Sequence, residues 1–290
     1  MEVTITGLYH YPVKSCAGIP LAQCSLTPKG VLGDREWAVI NAQGQLLSQR
    51  KLPRMALIQV KRQPQGLILK LNDDHPSDVP NCTLNFPTKT SPSREVHIWS
   101  DSAQGFLAEE HANRWLTHAL HSQEPLFLAW FNKATERLPG YPERFGANAT
   151  YFADAAPFLI ANALSLYTLN ELLAKRHLHE VDIRNFRPNI VISGLPAFAE
   201  HQVRALKHPA SGIEFTLVDA CQRCAIITIN PDTGVKLPYS VPFKQLTELN
   251  PMPGNKKAPA FGVNAKLREP VGEMATKVGL RLGDKLQVIQ

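Results

Sequence analysis

Residues 213–229 read IEFTLVDACQRCAIITI and hold the most informative feature of this 290-residue chain. The run before the tetrapeptide Cys221-Gln222-Arg223-Cys224 alternates apolar and polar residues, and the run after it is rich in isoleucine. Both patterns are typical of β-strands. A cysteine pair at this spacing is typical of a zinc half-site or of a thioredoxin-type redox centre. We therefore predict two strands that present a pair of thiols between them.

Short apolar runs separated by turn residues recur along most of the chain. The strands that they predict lie at 3–8, 37–40, 45–48, 56–60, 67–71, 82–86, 96–99, 126–131, 157–160, 189–193, 202–206, 214–220 and 225–229, with a closing hairpin at 280–288. Helices are few, and no internal repeat is present. The pattern predicts a mainly β protein with a few helices (an α+β class), built from two β-rich units of barrel-like form.

Two stretches have the period of amphipathic helices. The first carries apolar residues at helical spacing between residues 112 and 120, and we expect Asp101 or Ser102 to cap its N-terminus. The second is expected to be capped near Ser165 and to place four leucines on one face. Residues 250–259 are rich in proline, glycine and lysine, so we predict a mobile loop there.

Composition and charge exclude several classes of protein. A hydrophobic content of 44% and a charged content of 19% are typical of folded chains. The net charge is +6, but the basic residues form no stripe, so we expect no nucleic-acid partner. We expect no membrane partner, because no stretch approaches the roughly 18 apolar residues that span a bilayer and no signal peptide begins the chain. Five dispersed cysteines indicate reduced thiols and a cytoplasmic location.

The residues alone leave two interpretations of the cysteine pair. A closed zinc site needs four ligands, and the other cysteines are single and distant. A thioredoxin-like site places its first cysteine at the start of a helix, whereas we predict strands on both sides of this pair. The cysteines can still be buried structural residues. Alternatively, a cysteine of the pair binds a soft metal. Arg223 favours this second interpretation, because a fixed positive charge stabilises a thiolate, which is a soft metal ligand.

Several basic residues fall at predicted strand ends. They are Lys14, Arg35, Arg187 and Arg223. Ammonium and guanidinium groups bind phosphate and carboxylate oxygens through charge-assisted hydrogen bonds. If the strand ends meet, these four side chains surround one polyanionic ligand.

Five motifs, taken together in this order, resemble the MOSC-domain family. They are Tyr-Pro-Val-Lys-Ser-Cys (11–16), Gly-Asp-Arg (33–35), Asn-Phe-Arg-Pro-Asn (185–189), Cys-x-Arg-Cys (221–224) and Asn-Pro-Asp-Thr-Gly (230–234). Within the family, the chain is most similar to the mitochondrial amidoxime-reducing components and their bacterial relatives. The resemblance runs nearly from end to end and implies an N-terminal β-barrel-like domain (1–125) followed by a β-barrel MOSC domain (126–290).

The resemblance implies a molybdenum cofactor, which is a pterin dithiolene with a phosphate tail. At the matching positions, Cys224 would be the molybdenum ligand and the catalytic residue, with Cys221 a buried neighbour. The cofactor-binding residues would be Lys14, Ser15 and Arg35 from the first domain, and Asp154, Arg187, Asn189 and Arg223 from the second. The chain departs from the family pattern at Gln222, where the family often has serine.

The resemblance also implies an activity, which is the reduction of N-hydroxylated compounds such as hydroxylamine-type bases and amidoximes. Electrons would come from a separate protein, a ferredoxin or a flavodoxin-like protein with its reductase. The alternative is a non-catalytic cofactor carrier or a sulfur-transfer protein that forms a persulfide, because MOSC domains also occur in cofactor sulfurases. No cysteine follows Cys224, so we expect no iron–sulfur cluster; we also expect no zinc and no N-terminal membrane anchor.

Overall fold

The computed structural model describes residues 1–72, 79–140, 142–145, 148–268 and 279–290. Strands dominate this part of the chain, so the predicted mainly β class is confirmed. The strands are β1 Glu2–His10, β2 Ile19–Pro20, β3 Gln23–Thr27, β4 Gly30–Val31, β5 Trp37–Ile40, β6 Ile58–Gln63, β7 Gly66–Leu71, β8 Cys82–Asn85, β9 Ser93–Ile98, β10 Asp101–Leu107, β11 Phe127–Phe131, β12 Phe158–Asn162, β13 Ile190–Ser193, β14 Ala205–Lys207, β15 Glu214–Gln222, β16 Pro251–Met252, β17 Asn255–Leu267, β18 Gly279–Arg281 and β19 Lys285–Ile289. The α-helices are α1 Glu110–Ala119, α2 Pro142–Phe145, α3 Ala163–Lys175 and α4 Phe243–Leu249.

Seven strands close into a barrel. In the order β12-β13-β1-β19-β14-β15-β17 each strand pairs with the next, and β17 pairs with β12 to complete the ring. Alternate residues of these strands face inward, and the interior contains buried side chains such as Ile5, Phe215 and Leu286. The first strand of the chain lies between β13 and β19, so the N-terminus completes a barrel built largely from the second half.

The remaining strands form smaller sheets beside the barrel. One has the order β5-β11-β10-β9, and another is the meander β6-β7-β8. Both cover a core that includes Trp37 and Leu69, and α1 contributes Trp115 to it. The proposed domain boundary at residue 125 stays a prediction; β11 pairs with β5 and β10 of the first half, whereas β1 pairs with strands of the second.

The first long helix begins later than the sequence predicts. Asp101 and Ser102 cap no helix, because both lie in β10 and pair with Ile98 and His97 of β9. The helix begins at Glu110 instead. The apolar residues that predicted it are buried against the core, as expected: Ala112, Trp115, Leu116, Ala119 and Leu120. The helical spacing of apolar residues therefore located the helix. The predicted N-cap was wrong, because two polar residues of a strand resembled capping residues.

The second long helix is capped by a different residue from the predicted one. The Asn162 side chain accepts a hydrogen bond from the Leu164 backbone N–H at 3.2 Å, and α3 follows directly. Ser165 lies inside the first turn and is buried, where its hydroxyl donates to Glu200. Its long-range partner explains why a residue of capping type stands within the helix.

The apolar run after Cys224 is a 3₁₀ turn and not the predicted strand. The turn covers Ala225–Thr228. The Asn185 side-chain amide donates to the carbonyl oxygens of Ile227 at 2.9 Å and Ile229 at 3.0 Å. In a strand, these carbonyls would accept from the backbone of a neighbouring strand. An isoleucine-rich run fits a buried turn as well as a strand, so its composition could not separate the two.

Three other predicted segments need correction. Residues 250–259 contain the paired strands β16 and β17 in place of a mobile loop, and Gly254 adopts a left-handed φ of +76° in the turn between them. Residues 280–288 form no hairpin, because β18 pairs with β3 while β19 pairs with β1 and β14. The strand predicted at 202–206 is β14, and a 3₁₀ turn precedes it. Among the described residues, no helix has both the length and the apolar character to cross a bilayer.

A buried carboxylate links α3 to the turn before β14. Glu200 has no exposed surface and accepts hydrogen bonds from Ser165 Oγ at 3.0 Å and Asn162 Nδ2 at 3.4 Å. Burial raises the pKa of Glu200 from 4.5 to about 6, and the hydrogen bonds offset part of that rise. The folded protein therefore holds this proton more tightly than the unfolded chain. It follows that Glu200 lowers the stability as the pH rises from about 4.5 through about 6.

We predict that Glu200→Gln removes this pH dependence. The unfolding free energy of the variant minus that of the wild type should rise by about 2 kcal/mol between pH 4.5 and pH 7. Urea denaturation of both proteins at both pH values measures this change. Glu171, which is exposed on α3, provides the matched control, and Glu171→Gln should not change the profile. A difference between Glu200→Gln and wild type that stays constant with pH would contradict the prediction.

Candidate functional site

All eight site residues predicted from the sequence line one cavity of about 440 Å³. They are Lys14, Ser15, Arg35, Asp154, Arg187, Asn189, Arg223 and Cys224. The cavity lies where the barrel meets the smaller sheets, since both the end of β15 and the β9–β10 turn contribute to its wall. Among the described residues, five basic and two acidic side chains line it, so this part of the wall attracts anions.

The two cysteines differ in exposure. Cys221 is half-buried near the end of β15, and not fully buried as predicted. Cys224 lies beyond the strand at the start of the 3₁₀ turn, and it is exposed. The exposed thiol on the cavity wall is therefore that of Cys224.

Arg223 contacts the first cysteine and not the second. Its Nη1 donates to Cys221 Sγ at 2.9 Å, and its Nη2 donates to the Phe186 carbonyl at 2.7 Å. The buried Nε has no partner among the described residues. The neighbouring Gln222 side chain turns outward, where its oxygen accepts from Asn255 Nδ2 at 3.4 Å. Arg223 thus fixes the Cys221 side of the tetrapeptide and leaves Cys224 accessible.

The described residues form no complete metal site. No three histidine, cysteine, aspartate or glutamate side chains among them come close enough together to hold a metal ion. A metal bound at Cys224 would therefore take further ligands from a bound group.

Two arginines from distant parts of the chain meet at the floor of the cavity. Arg35 donates from Nη1 to Asn189 Oδ1 at 3.1 Å and from Nη2 to the Arg187 carbonyl at 3.1 Å, and it forms an ion pair with Asp34. Arg187 donates from Nη1 to the Cys16 carbonyl at 2.7 Å. These bonds join the segment after β1 to the segment before β13.

The second of these arginines keeps an unused donor. Burial lowers the pKa of Arg187 to about 10, Tyr11 acts to raise it, and the nearby Arg35 lowers it further. The guanidinium stays protonated at neutral pH. Its Nη2 is buried and has no hydrogen-bond partner among the described residues. An unpaired donor on a charged group is costly, so this atom suits an anionic ligand.

A lysine–aspartate pair forms another wall. Lys14 Nζ donates to Asp154 Oδ1 at 2.7 Å and to the Phe152 carbonyl at 2.6 Å, and the Trp99 indole N–H also donates to Asp154 Oδ1 at 2.8 Å. Burial lowers the pKa of Lys14, and Asp154 partly restores it. Desolvation acts to raise the pKa of Asp154, but Lys14 and Trp99 outweigh it and hold that pKa below its ordinary range. Because the Asp154 side chain is 60% exposed, its neighbours decide the direction.

Four residues of the cavity wall have left-handed backbones although none is glycine. The φ angles are 66° at Ser15, 48° at Arg35, 54° at Trp99 and 57° at Arg187. Such conformations are uncommon for these residue types and cluster at functional sites. The Arg187 carbonyl accepts from Arg35, and the carbonyl of Cys16, which follows Ser15, accepts from Arg187.

Sequence reasoning missed several residues that build the site. Arg137 is 2% exposed and donates to the Tyr151 and Ala153 carbonyls, and it pairs with Asp101 at the start of β10. This arginine lies between β11 and α2, outside every motif quoted above. Asn185 lies inside a quoted motif, but its contacts with the turn after Cys224 depend on the fold.

Comparison with known proteins places these features in context. Residues 2–123 match the MOSC N-terminal beta barrel domain and residues 93–287 match the MOSC domain. The chain is 33% identical over 284 residues to mitochondrial amidoxime-reducing component 1 of Homo sapiens, an alignment that covers 92% of this chain and 79% of the relative. It is 30% identical to mitochondrial amidoxime reducing component 2 of Homo sapiens, with coverage of 97% and 82%. It is 28% identical to the molybdenum cofactor sulfurase of Arabidopsis thaliana, with coverage of 84% of this chain and 31% of the relative.

We predict that Asn185→Ala destabilises the turn that carries Cys224. The substitution removes two buried hydrogen bonds to the Ile227 and Ile229 carbonyls, and the unfolding free energy should fall by about 1–3 kcal/mol in urea denaturation. Asn255→Ala, on an exposed hairpin, should change it by less than about 0.5 kcal/mol. Equal stability of the two variants would show that Asn185 does not hold the turn.

Proposed function

The chain belongs to the MOSC-domain family, and from this premise we propose that it is a molybdenum-cofactor-dependent reductase of N-hydroxylated compounds. The observation that carries the proposal is the convergence of one exposed thiol, Cys224, with several cationic side chains on a single cavity. Two relatives are named for reducing amidoximes, which contain an N–OH group, and this supports the reaction class.

The chemistry of the donor set fits the proposed cofactor. A phosphate tail requires cationic donors, and the Arg187 Nη2 and Arg223 Nε atoms are buried without partners among the described residues. A pterin ring presents N–H and C=O groups, which require side-chain acceptors and donors. The exposed Cys224 thiol suits a soft metal. These three features support binding of the whole group in this cavity.

The hydrogen bonds within the wall suggest a role for each predicted residue. Arg35, Arg187 and Arg223 would bind the anionic part of the cofactor. Asp154 Oδ1 is already occupied, and Oδ2 accepts no hydrogen bond from the described residues, so Oδ2 would receive a ring N–H. Lys14 keeps one of its three N–H donors free for the ligand.

The two remaining residues differ in how directly they would act. The Ser15 hydroxyl makes no hydrogen bond with the described residues and would bind the cofactor directly. The Asn189 side chain is 1% exposed, and its amide already contacts Arg35, the Leu159 N–H and the Tyr9 carbonyl. We therefore assign Asn189 an indirect role, which is to hold Arg35 in place.

The proposed reaction adds two electrons and two protons to the N–OH group and releases an amine or amidine and water. When bound, the cofactor supplies a metal centre that exchanges electrons and removes the oxygen atom. Cys224 would hold that metal at the cavity wall. The cationic wall and Asp154 would fix the orientation of the pterin.

The electrons would come from a separate protein, a ferredoxin or a flavodoxin-like protein with its reductase. Three of the five cysteines are buried separately in the cores, at positions 16, 24 and 82. The remaining two are Cys221 and Cys224, so a cluster with four cysteine ligands from this chain has no support. The absence of iron–sulfur and zinc centres and a cytoplasmic location stay predictions.

A second candidate is a cofactor carrier or a sulfur-transfer protein. Two thiols, Cys221 and Cys224, line the same cavity, and a relative is named molybdenum cofactor sulfurase. A persulfide on Cys224, detected by mass spectrometry in protein that turns over no N-hydroxylated base, would favour this candidate over the reductase.

We predict that Cys224→Ala abolishes the bound molybdenum and the activity together. Mutation of a residue that only supports a metal ligand typically lowers the metal affinity by about 10–100-fold. Loss of the ligand itself should therefore lower that affinity by more than about tenfold. Protein from a cofactor-competent host would be assayed for molybdenum per chain and for reduction of an N-hydroxylated base with a supplied donor. Cys82→Ala, in the core beside α1, is the matched control and should keep both. Wild-type protein without molybdenum, or full molybdenum in Cys224→Ala, would refute the proposal.

A further inference from the structure

Tyr11 belongs to a quoted motif, but no function has been assigned to it so far. It follows β1 directly and is 1% exposed. Its backbone N–H donates to Asp34 Oδ1 at 2.7 Å, and its hydroxyl donates to the Pro188 carbonyl at 3.1 Å. Its own carbonyl accepts from the Arg35 N–H at 2.7 Å. The ring is therefore fixed in position at both ends.

Two guanidinium groups lie on this one ring. The central carbon of Arg35 is 4.4 Å from the ring centroid, and that of Arg187 is 4.3 Å from it. The face of an aromatic ring is negative, so it attracts cations within about 6 Å. Two positive charges at this distance repel each other, and the shared ring offsets part of that repulsion. Tyr11 thus links two arginines that come from segments far apart in the sequence.

The absence of a side chain at Gly18 leaves the space that the Tyr11 ring fills. A Cβ atom at Gly18 would lie 2.3 Å from Tyr11 Cε1, which is too close for any real contact. Glycine at position 18 therefore lets the ring occupy its place. Arg187 Nη2 is the donor of this cluster that has no partner among the described residues. The ring consequently holds a guanidinium that lines the main cavity and has a donor without a partner among the described residues.

We propose that Tyr11 is a positioning residue whose ring holds Arg35 and Arg187 in the geometry that binds a phosphate group in the main cavity. Under the proposed function, that phosphate is the tail of the molybdenum cofactor, and to this extent the inference rests on that function. Tyr11 itself does not touch the ligand, since its hydroxyl is used by Pro188. The aromatic ring and not the hydroxyl carries the effect.

The test compares variants that keep or remove the ring. Tyr11→Phe keeps both cation–ring contacts, whereas Tyr11→Leu removes them. Inorganic phosphate would be titrated into the cofactor-free full chain by calorimetry. We expect wild type and Tyr11→Phe to bind alike, and Tyr11→Leu to bind roughly tenfold more weakly because two cation–ring contacts are lost. Tyr9→Leu, two residues earlier in β1 and without a stacked cation among the described residues, should bind phosphate as the wild type does.

A second variant covers the case in which Tyr11→Leu does not fold. Gly18→Ala keeps the ring but forces it to shift, so it should also weaken phosphate binding while thermal unfolding stays cooperative. Equal phosphate affinity in the ring-removing or ring-shifting variant and in wild type would overturn the proposal, as would an absence of phosphate binding to wild type.

The molybdenum assay separates this inference from the proposed function. In protein from a cofactor-competent host, molybdenum per chain after gel filtration should be lower for Tyr11→Leu than for Tyr11→Phe. If phosphate affinity follows the ring but wild type holds no molybdenum, the role of Tyr11 stands and the proposed function fails. If wild type holds molybdenum and Tyr11→Leu retains it equally, the role of Tyr11 fails and the proposed function stands.

Discussion

Positive charge buried beside positive charge is the constraint that organises the junction between the barrel and the smaller sheets. Lys14, Arg35 and Arg187 all reach the same cavity wall. An ion removed from water costs several kcal/mol unless it is paired and hydrogen-bonded. Asp34 and Asp154 supply two negative partners, and main-chain carbonyls supply the rest. The Nη2 atom of Arg187 has no hydrogen-bond partner in the described part of the chain, and an anion in the cavity that Arg187 lines would complete the arrangement.

This constraint accounts for the local backbone. Left-handed residues turn the chain sharply, and two carbonyls that accept from buried guanidinium groups, those of Cys16 and Arg187, lie beside or within such residues. Ser15, Arg35 and Arg187 adopt that conformation at a cost of about 1–3 kcal/mol each. Rigid strands on both sides hold the strained segments in place, because β1 leads into the first segment and β13 follows the last. The barrel is thus the frame on which the cationic wall is held.

The sequence predicted the fold class, and the eight residues singled out by the resemblance line one cavity, but their arrangement there was not predicted. Alternating apolar residues located most strands, since burial of one face needs that period. The strand predicted after Cys224 was wrong, because this run is a 3₁₀ turn that the Asn185 side chain contacts. No local pattern encodes a partner so distant in sequence. The pairing of Lys14 with Asp154 was equally invisible, because 140 residues separate them. Arg137 has no signal of its own, since its partners, the Asp101 carboxylate and the Tyr151 and Ala153 carbonyls, come together only in the fold.

The central claim is that Cys224 is the single protein thiolate on a molybdenum centre held by the cationic wall. X-ray absorption at the molybdenum edge tests it most directly, because it counts the sulfur atoms bound to the metal. Wild type should show one sulfur neighbour more than Cys224→Ser reconstituted with the same cofactor, while Cys221→Ser should match wild type. The same sulfur count in wild type and Cys224→Ser would contradict the account.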